Sequence, residues 1–285
     1  MKTSLSQLPE HKQQELHSAV TLIRDAVNVE MIILFGSYAR GDWVEEKAPD
    51  GHYYQYQSDF DILVVVEKPG TADNVSLWRR TEIKIRQMMT TPISLIVHDI
   101  DFVNRRLRKG QYFFTDIKKE GICLFDSKRF ELAEPKELSP KERKLLAEED
   151  FTYWFNSAND FYETSQFNFE KGNYALAAFE LHQTTERLYS ATLLVYTRYK
   201  PSTHDLETLS KLVAGQEPQF LTIFPQGTQE QRHRFELLRK GYVDARYKPS
   251  YTITREELEW LRERVQALQQ LTEKLCREKI ASFVQ

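Results

Sequence analysis

Short apolar runs rich in β-branched residues mark the first half of the chain: Met31-Ile-Ile-Leu-Phe35, Ile62-Leu-Val-Val-Val66, Ile93-Ser-Leu-Ile-Val97 and Ile122-Cys-Leu-Phe125. Apolar runs of this length, closed by Gly, Pro or Asp, predict buried strands. Amphipathic stretches lie between them. The first, about Pro9 to Val27, lines up Leu16, Val20, Ile23 and Val27 on one helical face. Others are expected at about Ala72 to Met89 and Asp101 to Glu120. Strands alternating with helices imply an α/β or α+β sheet domain.

The pattern then changes. Phe130 to Pro140 carries Pro135 and Pro140 among charges, which is linker chemistry. Beyond it no strand-like run occurs. Helices are predicted at about Lys141–Lys171, Tyr174–Tyr199, Asp205–Ala214, Gln229–Ala245 and Thr254–Ile280, with breaks at Gly172 and Pro201. Thr254-Arg-Glu-Glu257 fits a capping box, and Leu258, Leu261, Val265, Leu268, Leu271 and Leu275 follow at helical spacing. The second half therefore reads as an all-α helical bundle.

Composition narrows the class. A chain of 285 residues suggests two domains. Hydrophobic residues at 41% and charged residues at 28% exclude a collagen-like or wholly disordered chain. No run approaches the roughly 18 apolar residues that span a bilayer, and the polar Met1 to Glu10 does not read as a secretory signal. A net charge of −3 argues against a nucleic-acid partner. Cys123 and Cys276, far apart, make neither a disulfide framework nor a zinc site, so a reducing cytoplasm is expected.

Candidate chemistry concentrates in Phe35-Gly36-Ser37-Tyr38-Ala39-Arg40-Gly41, followed later by Ser58-Asp59-Phe60-Asp61-Ile62. Gly-Ser directly after a strand makes a tight turn whose backbone N–H groups, with the Ser37 hydroxyl, suit an anion. Asp59 and Asp61 at i and i+2 of a strand share one face. Two adjacent carboxylates call for a cation, and oxygen donors suit Mg²⁺ or Mn²⁺. A phosphate cradle beside a metal-binding pair is the machinery of phosphoryl or nucleotidyl transfer.

These residues resemble the MNT-type nucleotidyltransferases of the DNA polymerase β superfamily, whose G[GS] turn and D-x-D pair read here as GSYARG…SDFD. The resemblance spans roughly Pro9 to Asp126 and implies a polymerase-β-like mixed sheet with flanking helices. Carried over, it assigns Gly36 and Ser37 to the NTP phosphates, Arg40 to phosphate charge, and Asp59 and Asp61 to metal binding and catalysis. Two departures stand out. The stretch 42–57 is longer than in the plainest members, and its Ala48-Pro-Asp-Gly51 suggests a hairpin insertion. The third carboxylate usual in active members is replaced by Ser94. His98, on the same side of its strand, is a candidate substitute base, although a structural histidine is the commoner occupant of such a place.

The helical half resembles a HEPN domain through three ordered blocks: Asn173 to Tyr189, Tyr199 to Leu206 and Gly241 to Lys248. The resulting division is a nucleotidyltransferase domain at 1–128, a linker at 129–140 and a HEPN domain at 141–285. HEPN ribonucleases carry Arg and, four to six residues on, His; after Arg246 the series continues Tyr-Lys-Pro-Ser-Tyr251 without a histidine. Arg198-x5-His204 matches in spacing alone, and Thr203 or Asp205 is expected to cap the next helix. His182, Glu186 and Tyr189 share one helical face, either as a pocket wall for an acceptor or as a satisfied polar seam; Arg187, on a neighbouring face, reads as solvated. The aromatic run from Phe151 to Phe169 lacks interleaved Arg and Lys, so it is expected to pack in a core or a dimer interface.

The expectation is a metal-dependent transferase moving NMP from an NTP, ATP by default, to an unidentified hydroxyl acceptor, in a homodimer formed through the helical half. The alternative is a nucleotide-binding regulatory module of antitoxin-like type, with a HEPN ribonuclease third.

Overall fold

The computed structural model describes residues 1–43 and 58–284 and divides into two compact units, Met1–Glu137 and Leu138–Gln285. In the first unit α1 (Glu10–Ala26) leads to β1 (Met31–Phe35) and directly into α2 (Gly36–Arg40). There follow β2 (Phe60–Val66), α3 (Pro69–Ala72), α4 (Val75–Met88), β3 (Ile93–Asp99), α5 (Ile100–Arg108), α6 (Tyr112–Glu120) and β4 (Ile122–Asp126). The strands fall on the apolar runs. The helix expected across 101–120 is two helices, because the chain turns between them through Gly110 at φ 64°, a left-handed conformation that glycine adopts without strain. The proposed insertion lies, from residue 44 to 57, outside the described residues.

The sheet order is β3-β2-β1-β4. β1 runs antiparallel to β2 and β4, whereas β2 and β3 are parallel and joined by the α3–α4 crossover. Alternation splits the apolar positions between two faces. Ile32, Leu34, Ile62, Val64 and Val66 pack with Leu16, Ala19 and Ile23 of α1 and Trp78 and Ile85 of α4. α5 and α6 pack against β3, β2 and β1. Burial on both faces explains why the strands read as unbroken apolar runs. At the free edge of β3, Glu82 accepts from Leu95 N–H at 3.4 Å and Arg86 donates to the Ile93 carbonyl at 3.3 Å, so α4 covers an edge that would otherwise be open. The stretch read as linker is tied to this unit: Lys118 donates to the carbonyls of Leu132 and Ala133, and Asn104 bonds Glu131 and Ala133.

The second unit is helical: α7 (Pro140–Glu170), α8 (Tyr174–Thr197), α9 (Leu206–Ala214), a 3₁₀ turn (Pro218–Thr222), α10 (Gln229–Lys240), α11 (Asp244–Tyr247) and α12 (Arg255–Ser282). Ser139 with Glu142, Thr228 with Gln231 and Thr254 with Glu257 form capping boxes. Asp205, rather than Thr203, caps α9. α8 is the central helix and is largely buried. Its polar residues live there because Thr184, Thr185, Ser190, Thr192 and Thr197 donate to carbonyls one turn back. Of the aromatic run, Phe151, Phe155, Tyr162 and Phe169 lie in this unit's own core. Trp154 and Phe161 are capped by Arg187, and Trp154 also by Lys200. The cations absent from the run are thus supplied by α8 and the segment after it, and Arg187 is half-buried rather than solvated.

Candidate active site

The site is built where β1 ends and β2 and β3 begin. Gly36 opens α2 at φ 72°, and Gly41 closes it in a left-handed cap. The first N–H groups of a helix have no intrahelical partner, so this turn offers donors at the end of a buried strand. Tyr38 anchors the turn: fully buried, it stacks on Trp43 at 5.4 Å and packs on Phe60 at 4.5 Å. From the N-terminal segment, Lys2 and Gln7 both donate to the Ala39 carbonyl at 3.3 Å.

Register brings the motifs together. Phe35 pairs with Asp61, and Asp61 pairs with Ser94. A Cβ on Gly36 would collide with the Asp61 carboxylate; the glycine is therefore required for close approach as well as for φ. Asp61 is held well above the usual carboxylate range, by burial first and by the neighbouring Asp59 second, with Arg40 pulling the other way. The exposed Arg40 also pairs with Asp42 at 3.1 Å. Ser94 Oγ donates to Asp59 Oδ2 at 2.6 Å. The start of β3 is itself pinned to α1: Glu15 accepts from the Thr90 N–H at 2.7 Å and its hydroxyl at 2.8 Å, and the buried Lys12 donates to Thr91 Oγ1 at 2.5 Å. These supports were not singled out in the sequence, although Lys12 sits one turn before Leu16 on the apolar stripe, a position where a lysine asks for an internal partner.

His98 is not brought to the carboxylates. It pairs in register with Val65, four residues along β3 from Ser94, on the order of 13 Å at strand rise. Its ring stacks on Phe102 at 4.0 Å and meets Phe114 at 5.8 Å, and burial pushes its pKa down to about 4. Asp99 instead caps α5 through the Phe102 N–H.

Two adjacent carboxylates, one of them pushed toward its neutral form by burial and by the other, fit a hard divalent cation, since the cation removes the repulsion. Among the described residues no group of three His, Cys, Asp or Glu side chains could hold a metal ion, so the fit is to a cation completed by ligands from outside the protein. Among the described residues no helix is long and apolar enough to cross a membrane.

Residues 19–130 match the family model described as polymerase beta, nucleotidyltransferase, and residues 151–275 match that of the HEPN domain. The chain carries a polymerase-β-type nucleotidyltransferase domain followed by a HEPN domain. No curated protein matches it.

In the HEPN domain a second polar cluster forms around α8. His182 is buried, with Nδ1 3.0 Å from the Leu238 carbonyl oxygen and Nε2 3.8 Å from Glu186 Oε2. The same Glu186 oxygen bonds His204 Nδ1 at 2.9 Å. Tyr242 stacks on both imidazoles, at 5.2 Å and 4.4 Å, and Arg246 lies over Tyr242 at 4.7 Å while donating to its carbonyl. His182, Glu186 and Arg246 therefore share a neighbourhood, and His204, which sequence reasoning set aside, joins them. Tyr189 does not take part: it is fully buried, and burial pushes its phenol up. Arg198 faces a different partner, Asp150, whose raised pKa it offsets. Tyr251, where a HEPN ribonuclease would carry histidine, donates to the Leu237 carbonyl at 3.0 Å.

Proposed function

We propose that this nucleotidyltransferase moves the NMP of an NTP, with ATP the first to test, to a hydroxyl on an acceptor. The acceptor oxygen bonds to the α-phosphorus, the bond to the bridging oxygen breaks, pyrophosphate leaves, and the hydroxyl proton passes to solvent. The observation that carries the reading is the contact of Gly36 with Asp61: the turn suited to phosphates and the carboxylate pair are immediate neighbours. In this reading Gly36 and Ser37 hold β/γ-phosphate oxygens, Arg40 offsets phosphate charge, and Asp59 and Asp61 hold Mg²⁺ or Mn²⁺. The ion would neutralise phosphate charge as it builds on the leaving group. Alignment is left to the ends of β1, β2 and β3, whose register is fixed.

A second reading, a nucleotide-binding regulatory module with little turnover, is favoured by Ser94 in place of a third carboxylate. Incubation with labelled NTPs and Mg²⁺ distinguishes the two: released pyrophosphate supports the transferase, and binding without release across acceptors supports the module. Asp59→Asn with Asp61→Asn should abolish Mg²⁺-dependent NTP stabilisation in a thermal-shift titration while the protein stays folded. Unchanged affinity would remove the metal assignment.

A further inference from the structure

We propose that Lys12 is a positioning residue for the transferase site: its buried amino group holds the phosphate turn, the carboxylate strand and the start of β3 in one arrangement. The inference rests on the reading of Gly36, Ser37, Asp59 and Asp61 as a metal–nucleotide site.

Two local rules disfavour a lysine at this place. It is the third residue of α1, where a cation meets the positive end of the helix dipole. It is also only 3% exposed, and taking an ammonium out of water costs more than an ion pair commonly returns. An apolar side chain of similar length would continue the buried stripe of Leu16, Ala19 and Ile23. What sets the lysine apart is where its polar end lies.

Nζ reaches three segments of the site. It donates to Thr91 Oγ1 at 2.5 Å, and the Thr91 hydroxyl in turn donates to Glu15. The other Glu15 oxygen accepts from the Thr90 N–H and hydroxyl. Nζ also lies 5.8 Å from the centre of the Tyr38 ring, the buried anchor of the Gly36-Ser37 turn, and 5.9 Å from that of Phe60, the residue between Asp59 and Asp61. Both distances fall within the reach of cation–π attraction. The segment after Thr91 carries the hold forward. The Pro92 carbonyl accepts the Phe60 N–H at 2.8 Å, and Ser94, two residues on, donates to Asp59 at 2.6 Å. Strand alternation sends the Phe60 ring to the α1 face of the sheet and the Asp61 carboxylate to the other. Lys12 therefore acts from behind the sheet. It bonds to or packs on the chain neighbours of the phosphate turn, the carboxylates and Ser94.

A site that binds by preorganisation loses affinity when its parts shift by a fraction of an ångström. Methionine at position 12 keeps the volume of the core, and β1, β2 and β3 keep their own ladders, so the fold survives. What goes is the shared tether, and the loss is read in nucleotide binding rather than in stability.

The test sets affinity against stability in the full chain. Binding of a nonhydrolysable ATP analogue with Mg²⁺ is measured by calorimetry, and the Tm of the ligand-free protein by thermal melting, for natural protein, Lys12→Met, Thr91→Val and Thr91→Ser. Lys12→Met and Thr91→Val are expected to weaken binding by about tenfold, the effect of losing a hydrogen bond to a charged group, with the Tm unchanged. Thr91→Ser, which keeps the hydroxyl, is expected to bind as the natural protein does. Natural affinity in folded Lys12→Met overturns the inference and leaves the metal–nucleotide reading standing. A loss of affinity accompanied by a lowered Tm overturns it as well, since the lysine is then part of the core and nothing more. If Lys12→Met fails to fold, Thr91→Val decides by the same two readings, and failure of both to fold assigns the network to the core. No binding by the natural protein overturns the metal–nucleotide reading and this inference with it.

Discussion

At Gly36 the backbone takes φ 72° and leaves no room for a Cβ against the Asp61 carboxylate. Gly36→Ala therefore meets strain of about 1–3 kcal/mol and displaces Asp61 as well; a lowered Tm with loss of Mg²⁺–NTP protection is expected, and an unaltered Tm would contradict the contact. Asp61 carries the opposite sign. Its folded-state pKa lies above its ordinary value of 3.8, so the folded protein holds that proton more tightly than the unfolded chain. Stability from this group is present at low pH and lost as pH rises through the raised value. Asp61→Asn should raise the Tm of the ion-free protein at neutral pH, relative to natural protein, and flatten this part of the profile in melts from pH 4 to 8. Ser94→Asp should raise NTP turnover by about tenfold or more if a missing ligand limits transfer, since about 1.4 kcal/mol in the transition state is a factor of ten. A neutral or harmful effect in a protein that already turns over well would assign that role to another group.

Elements settle what single residues cannot. β3 contributes Ser94 to the carboxylate pair at its start and His98 to the packing beneath α5 and α6 further along. Because burial holds the His98 pKa at about 4 against an ordinary 6.5, the unfolded chain binds this proton where the folded one does not. Stability is complete above pH 6.5 and falls as pH drops toward 4, by on the order of 3 kcal/mol at the lower limit. Natural protein should lose more Tm between pH 7 and 4.5 than His98→Phe, which keeps an aromatic ring in the stack. Equal losses would show that His98 protonates without penalty. On the HEPN side, α8 gathers His182 and Glu186 by helical spacing, but His204, Tyr242 and Arg246 come from later elements, so the cluster exists only through packing.

For the whole molecule, the internal burial of Phe151, Phe155, Tyr162 and Phe169 removes most of the aromatic excess that pointed to a dimer. What remains exposed on α7 and α8 is Leu145, Tyr153, Phe167 and Leu176. If a second copy covers these, light scattering at micromolar concentration returns twice 33.7 kDa, and Tyr153→Glu with Phe167→Glu moves it toward the single-chain mass. A single-chain mass for the natural protein would count against dimerisation through this half.

Periodicity alone determined the four strands, the long helices and the change from sheet to bundle, because burial on a strand or helix imposes a repeat that is visible locally; it ran α5 with α6 and α10 with α11 together. The Gly36-Ser37 turn after a strand and the i, i+2 spacing of Asp59 and Asp61 are likewise local facts, and they made these residues candidates in the sequence. The tertiary structure decided the rest. Parallel register set Ser94 against Asp59 and carried His98 away; Lys12 and Glu15 fixed the start of β3 from 75 and more residues earlier in the chain; Glu186 met His204 across a turn. Each is a contact between distant segments, and the identity of a residue does not encode which remote strand or helix will lie beside it.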